Sequence, residues 1–285
     1  MIQEWIEQYN PKTQEDYFAA IREIMQDVAL AGLQRAAFFE KAAFYGGTAL
    51  RVFYGLDRYS EDLDFSLLKK DSDFSLEVYF EAIITEFEAI GMNVRIMEKK
   101  KQVDSSIDSA FLKSATVWKE LELQGIVPQA GVKHMPTIKI KIEVDREPPL
   151  GFETEEKLLL RPFSFYVKCF TPPSLFAGKM HALLFRKWKN RVKGRDWYDM
   201  EWYIKKGILL DLNHFLHRAR DTGDWHKETI TKEEFINLLI SKISTVDFGG
   251  IRVDVVRFIP NESVIAIWSR QYFTDLIKKL KFYNS

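Results

Sequence analysis

The residues of this sequence best suited to chemistry are two aspartates, Asp62 and Asp64, separated by a single leucine. If residues 59–67 form a β-strand, Ser60, Asp62 and Asp64 project from one face, because side chains alternate along a strand. Two carboxylates about 7 Å apart on one strand face make a hard-oxygen site suited to Mg²⁺. The spacing therefore predicts a divalent-metal site.

A glycine pair followed by a threonine, Gly46-Gly47-Thr48, precedes the aspartates. Glycine backbone can approach a phosphate closely and donate N–H groups to it. A short helix that begins there would add a favourable potential for anions. The alternative is that the glycines form an ordinary turn and the aspartates a solvated strand face. Because the glycines occur together with Arg58 and Ser60, we favour a phosphate site.

The pattern Gly-Gly-Thr-Ala-Leu, followed by Arg-x-Ser-x-Asp-Leu-Asp-Phe, resembles the first motif of the nucleotidyltransferase superfamily as found in AbiEii/AbiGii-type toxins. The broader superfamily often has Gly-Ser where this chain has Gly47-Thr48, a change that keeps the hydroxyl. The resemblance implies a polymerase-beta-like core, in which both aspartates hold metal ions and a neighbouring strand supplies a third carboxylate. The residues implied to bind the NTP phosphates are Gly46, Gly47, Thr48, Arg58, Ser60 and Lys179.

Candidates for the third carboxylate lie in residues 137–145, where apolar and charged residues alternate as in a strand. Asp145 ends this strand and is the favoured candidate, with Glu143 on the same face as its competitor. Lys139 and Lys141 share that face and either neutralise phosphates or simply solvate the strand. Asp145 would complete a two-metal clamp on the attacking and leaving oxygens.

Two later segments resemble further parts of the same family. Lys179 lies in a segment similar to its K-x-x-A-L helix, where a lysine can act as a point charge against a triphosphate. Residues 195–199 resemble its R-D-x-x-D motif, which places Asp196 near the active site to orient Lys179 or the acceptor. For Arg195 and Asp199, one helical turn apart, a structural ion pair is the alternative.

A basic segment runs from the first of these motifs into the second. The chain has 41 basic and 41 acidic residues, which argues against a whole-surface nucleic-acid footprint but not against a local one. This segment is either a solvated loop or a surface that binds RNA phosphates. Its cations are Arg186, Lys187, Lys189, Arg191, Lys193 and Arg195.

The composition is that of an ordinary globular protein, with 46% hydrophobic and 14% aromatic residues. No signal peptide is readable, and no apolar run reaches the ~18–20 residues that span a bilayer. We therefore expect a soluble, cytoplasmic protein without a membrane partner. The length of 285 residues allows one large domain or two modest ones.

The elements that must position these residues indicate an α+β fold, a nucleotidyltransferase-like mixed sheet with flanking helices followed by a helical C-terminal domain. Thr171-Pro172-Pro173-Ser174 marks the boundary, giving a core domain over residues 1–171 and a helical domain over 172–285 that completes the active site. Strands are predicted over residues 59–67, 93–98, 106–118, 137–145 and 163–170. Helices are predicted over residues 15–40, 73–90, 175–188, 195–206, 211–220, 231–245 and 263–281.

The resemblance implies an enzyme that uses two Mg²⁺ ions, with Mn²⁺ as an alternative, and transfers a nucleotide from an NTP to an acceptor with release of pyrophosphate. It also implies an RNA acceptor such as tRNA, growth arrest or phage defence, and a separately encoded antitoxin. The catalytic residues would be Asp62, Asp64, Asp145, Lys179 and Asp196. Two alternatives stay open: an enzyme that modifies a small molecule such as an aminoglycoside, and a catalytically silent module that binds NTP or RNA. The basic segment weighs against the first, and three clustered carboxylates weigh against the second.

Overall fold

The computed structural model describes residues 2–97, 116–124, 138–186 and 193–283. The chain forms two compact units that are interleaved along the sequence, whereas the sequence predicted two consecutive domains. The first unit comprises Met1–Ala49, Glu61–Pro148 and Glu156–Cys169, and the second comprises Leu50–Ser60, Pro149–Glu155 and Phe170–Ser285.

A mixed sheet, seven-stranded over the described residues, organises the first unit in the order β3-β4-β5-β2-β1-β7-β6. The central strand β2 pairs antiparallel with β1 and parallel with β5. This mixed sheet with flanking helices confirms the expected α+β class. The strands are β1 Ala42–Tyr45, β2 Leu63–Leu67, β3 Asn93–Met97, β4 Thr116–Gln124, β5 Lys139–Asp145, β6 Thr154–Leu159 and β7 Phe165–Phe170.

Helices cover the sheet of the first unit and connect its strands. The longest begins at a capping box in which Thr13 and Asp16 exchange side-chain and backbone hydrogen bonds, a strong local start signal. The helices are α1 Ile2–Gln8, α2 Gln14–Arg35, α3 Gly46–Tyr54, whose last five residues belong to the second unit, and α4 Phe80–Ala89.

The core of the first unit buries one face of β2, so that Asp64 lies on the opposite face. Leu63, Phe65 and Leu67 are buried, and Phe65 packs edge-to-face on Phe38 with ring centroids 4.9 Å apart. Because side chains alternate, Asp64 points away from this apolar layer and is only partly buried. The hydrophobic pattern thus fixes the side of the sheet on which the carboxylate stands.

The second unit is built mainly of helices around an aromatic core that includes Trp197, Phe273 and Trp268. Its first long helix starts at Pro172, where a fixed φ favours the first turn. No helix among the described residues is long and apolar enough to cross a membrane. The elements are α5 Pro172–Phe185, α6 Gly194–Lys205, β8 Leu209–Leu210, α7 Leu212–Asp221, α8 Lys232–Thr245, α9 Phe248–Val255, α10 Arg270–Ile277 and β9 Lys281–Phe282.

Some predicted elements differ from those observed. The strand predicted over 59–67 begins only at Leu63, and the helix predicted over 263–281 is a 3₁₀ turn, Glu262–Ile265, followed by α10. The helix predicted over 73–90 starts at a 3₁₀ turn, Glu77–Tyr79, before α4. Residues 106–115 of a predicted strand lie outside the described residues.

Candidate active site

The carboxylate of Asp64 lies directly against the backbone at the start of α3. Gly46 has φ +84°, and a Cβ built on it would meet Asp64 Oδ2 at 2.5 Å and Asp64 Cβ at 3.2 Å. No side chain fits between the two residues, and the left-handed backbone favours glycine independently. The structure therefore brings the glycine pair and the second aspartate together, as the sequence motif predicted.

The segment before β2 is held by Thr48 and is not a strand. The Thr48 side chain is fully buried and its hydroxyl donates to the carbonyl oxygen of Asp62. That carbonyl therefore bonds to a side chain, and the ladder begins one residue later at Leu63. Ser60 and Asp62 do not share a strand face with Asp64, contrary to the prediction. The Thr48 hydroxyl, predicted to bind phosphate, thus holds the backbone of the aspartate motif in this structure.

The register between β2 and β5 decides which carboxylate neighbours Asp64. Glu143 is the Cα partner of Asp64, whereas Asp145 is the partner of Ser66, two positions further along. Adjacent strands are about 4.8 Å apart, so Glu143 is the nearer candidate and the sequence preference for Asp145 is not supported by register. Lys141 forms an ion pair with Glu143, which supplies positive charge beside this carboxylate.

Lys139, the other cation on this strand face, lies 3.7 Å from Glu122 of β4. It thus has a carboxylate partner within the sheet.

The donor chemistry of this face fits a divalent cation. Asp64 and Glu143 are neighbours in register, Asp62 precedes β2, and all three offer the carboxylate oxygens that Mg²⁺ prefers. Within the described ranges, no three acidic, histidine or cysteine side chains are already gathered as a metal-binding group. The residue types and the register therefore suit a metal, and its binding would require side chains to turn toward it.

A second polar cluster lies within the second unit and joins α5 to α6. Lys179 Nζ is 2.9 Å from Asp196 Oδ1 and 2.9 Å from Asp199 Oδ2. Arg58 Nε and Nη2 lie 2.5 Å and 2.7 Å from the two carboxylate oxygens of Asp199, a bidentate pair. We call Arg58, Lys179, Asp196 and Asp199 the lysine cluster.

Charges in the lysine cluster stabilise one another despite burial. Burial alone would raise the pKa of Asp199, but Arg58 and Lys179 outweigh it and lower this pKa to about 2. Burial alone would likewise lower the pKa of Lys179, but Asp196 and Asp199 outweigh it and raise this pKa above its usual value. Lys179 is therefore a fixed positive charge at neutral pH.

The lysine cluster corrects one expectation. Arg58, predicted to neutralise NTP phosphates, is only 2% exposed and is committed to Asp199. Asp199 pairs with Arg58 and Lys179, and the Arg195 guanidinium lies 4.1 Å from the ring centroid of Phe258. The sequence offered no signal for the Arg58 contact, which joins residues 141 positions apart.

The structure describes only part of the basic segment. Lys187, Lys189 and Arg191 lie outside the described residues. Arg186 is exposed just after α5, and Lys193 precedes α6. Burial, which Asp196 opposes and Arg186 reinforces, lowers the pKa of Lys193 to about 8.

The fold and the Gly46–Asp64 contact fit a nucleotidyltransferase, and the comparison with family models gives the family. The model of the family described as nucleotidyl transferase AbiEii toxin, type IV toxin–antitoxin system, matches residues 28–275. The chain therefore belongs to the AbiEii nucleotidyltransferase toxin family. It follows that the protein is a nucleotidyltransferase of the toxin type, with an NTP substrate and an antitoxin counterpart. Enzymes of this kind generally use divalent metals.

The solved structure of one nucleotidyltransferase toxin supports the fold assignment. MenT4, a nucleotidyltransferase toxin from Mycobacterium tuberculosis H37Rv, superposes with a TM-score of 0.51 at 14% identity, covering 96% of each chain. JHP933 from Helicobacter pylori gives a TM-score of 0.45 at 16% identity, covering 94% of this chain and 95% of that one. A comparison with curated proteins gives no match.

Proposed function

We propose that the protein catalyses Mg²⁺-dependent transfer of a nucleotide from an NTP to a hydroxyl of an RNA acceptor, with release of pyrophosphate. The observation that carries this proposal is the seating of the Asp64 carboxylate against Gly46, where a Cβ would come within 2.5 Å of Oδ2. The Asp64 carboxylate, to which we assign a metal-binding role, thus lies beside the N-terminus of α3, where backbone N–H groups favour phosphate.

We assign the metal-binding role to Asp62, Asp64 and Glu143, and Asp145 becomes the alternative to Glu143. The assignment follows the register, in which Glu143 rather than Asp145 is the partner of Asp64. Bound Mg²⁺ would supply charge neutralisation for the attacking and leaving oxygens of the transfer, and Mn²⁺ offers the same donor preferences. Lys141, paired with Glu143, balances the carboxylates when no metal is bound.

In the transfer, one bond to the α-phosphorus forms and another breaks. The acceptor hydroxyl oxygen bonds to the α-phosphorus, and the bond from this phosphorus to the bridging oxygen of the β-phosphate breaks, so that pyrophosphate leaves. The hydroxyl proton passes to a carboxylate oxygen, for which Asp145 at the end of β5 is the candidate. Backbone N–H groups of Gly46 and Gly47 hold the donor phosphates, with Ser60 as a further hydroxyl donor.

Lys179 is the proposed counter-charge for the donor phosphates. Its ammonium group stays protonated and is held by Asp196 and Asp199, so little reorganisation is needed when an anion approaches. Asp196 is thus a positioning residue acting through Lys179. Arg58 acts one step further away, because it fixes Asp199.

Two features support an RNA acceptor. The basic segment concentrates six cations within ten residues of a chain with zero net charge, which suits a phosphate backbone better than a small molecule. Two of its cations, Arg186 and Lys193, adjoin the helices that carry Lys179 and Asp196.

Calorimetry of NTP binding with and without Mg²⁺ tests the metal site. Wild type should lose affinity in EDTA by about tenfold or more, equivalent to about 1.4 kcal/mol. Asp64→Asn should bind NTP equally in both conditions, and the exposed Asp73→Asn variant should behave as wild type. Equal wild-type affinity with and without Mg²⁺ would refute the metal assignment.

A further inference from the structure

A cavity of about 560 Å³ lies wholly within the second unit, among the ends of α5 and α8 and the start of α6. Its volume is within the ~300–1,000 Å³ typical of small-ligand sites. Leu183 and Phe185 give it an apolar wall, and Asp196 of the lysine cluster is part of its lining. The charged residues that line it are Arg186, Lys193, Lys242, Asp196, Asp224 and Asp247.

The three aspartates of the cavity wall are engaged by the protein itself. Asp196 binds Lys179 at 2.9 Å. Asp224 accepts a hydrogen bond from the Thr222 hydroxyl at 2.6 Å and lies 3.1 Å from His181. Asp247 caps α9, accepting from the backbone N–H groups of Gly249 and Gly250 at 2.9 Å and 3.0 Å. Internal donors thus satisfy much of the negative charge at the wall.

One cation of the wall, Lys242, has no carboxylate partner among the described residues. Its Nζ donates to the Leu184 carbonyl oxygen at 3.4 Å. The pKa of Lys193 is lowered to about 8 by burial, an effect that Asp196 opposes and Arg186 increases. An anion nearby favours the protonated form of a lysine, and Lys193 and Lys242 both line the cavity, so this wall is suited to bind a phosphate.

We propose that this cavity binds a phosphate of the acceptor RNA, through Lys193 and Lys242 together with Arg186. The proposal rests on the proposed function, which supplies an RNA acceptor. RNA is favoured over other anions because two residues of the basic segment, Arg186 and Lys193, line the cavity. They are the described residues that flank positions 187–192. The donor phosphates are assigned elsewhere, to the glycine pair and Lys179.

The test compares two double variants that remove the same charge. Lys193→Gln/Lys242→Gln removes the proposed contacts, and Lys206→Gln/Lys279→Gln removes two exposed lysines outside the cavity. Binding of total tRNA is measured over a range of salt concentrations, and NTP binding by calorimetry. Each single-strand phosphate contact contributes a slope of about −0.7 in log K against log salt, so the cavity variant, which loses one phosphate contact, should be flatter by up to about 0.7. Its NTP affinity should equal that of the control.

The outcomes separate this proposal from the proposed function. A cavity variant with the control's salt slope overturns the cavity site, even where wild type transfers nucleotides to tRNA. A flattened slope for the cavity variant supports the cavity site. If wild type then binds tRNA but transfers no nucleotide to it, the result counts against the enzymatic proposal alone. Reduced NTP affinity in the cavity variant assigns the cavity to the donor and overturns the proposal, as does a wild type that does not bind tRNA. Lys242→Gln alone should flatten the slope by about half as much, which guards against misfolding of the double variant.

Discussion

Replacing Gly46 with alanine should damage activity far more than stability. An L-residue in the left-handed backbone region costs about 1–2 kcal/mol, and Gly46 has φ +84°. The added Cβ would also meet Asp64 Oδ2 at 2.5 Å, whereas ordinary contacts begin near 3.4 Å. The carboxylate must therefore move by about 0.9 Å, the difference between these two distances.

A displacement of about 1 Å in a reacting group can cost about 10²-fold in rate. Gly46→Ala should therefore lose about 10²-fold in nucleotide transfer. Gly91→Ala is the matched control, because Gly91 has φ +78° and its added Cβ would meet nothing within 4 Å. Both variants should lose about 1–2 kcal/mol of unfolding free energy from backbone strain, and only Gly46→Ala should lose most of its activity.

The assay pairs urea unfolding with transfer of label from an NTP, for both variants and wild type. Transfer rates are compared where each protein is fully folded. A Gly46→Ala enzyme as active as Gly91→Ala would refute the reasoning, because the Asp64 position would then be unimportant. Equal stability losses with unequal activities would support it.

Three further predictions concern the lysine cluster, the carboxylates of β5 and a buried histidine. Arg58→Met should lower the unfolding free energy by about 3–5 kcal/mol, because it leaves Asp199 buried with one partner fewer. A loss below about 1 kcal/mol in urea unfolding, which is typical of an exposed ion pair, would contradict this prediction. Glu143→Gln should reduce the rate of nucleotide transfer by about 10²-fold, and Asp145→Asn should reduce it less. A larger loss for Asp145→Asn would instead favour Asp145 as the third metal-binding carboxylate. Burial lowers the pKa of His214 to about 3, so the unfolded chain binds its proton first and stability should fall as pH drops below about 6.5, by at most ~1.4 kcal/mol per pH unit. His214→Phe should lose part of this acid sensitivity in pH-dependent unfolding, and an unchanged profile would contradict it.

Locally encoded elements were predictable from the sequence. The Thr231 and Glu234 capping box indicated a helix over 231–245, and α8 spans Lys232–Thr245 with both capping hydrogen bonds formed. The start of α5 near Pro172 and the alternation in β5 were likewise readable. In each case the determining interactions lie within a few residues of one another, so the sequence pattern carries them.

Features that depend on tertiary contacts were not predictable. The start of β2 depends on the Thr48 hydroxyl, which donates a hydrogen bond to the carbonyl oxygen of Asp62. The two residues are 14 positions apart in the sequence. The choice between Glu143 and Asp145 depends on the register of β5 against β2, which alternation alone does not give because both residues share a face. Lys242 carried no sequence signal, because only the packing of α5, α6 and α8 makes it a cavity residue.

The most direct test of the central claim is incubation of the protein with each labelled NTP, Mg²⁺ and total tRNA. Wild type should transfer label from at least one NTP to RNA, and Asp64→Asn should transfer at least ~10²-fold less while remaining folded. Asp73→Asn, which removes an exposed aspartate, should match wild type. Absence of labelled RNA with wild type, or undiminished labelling with Asp64→Asn, would contradict the account.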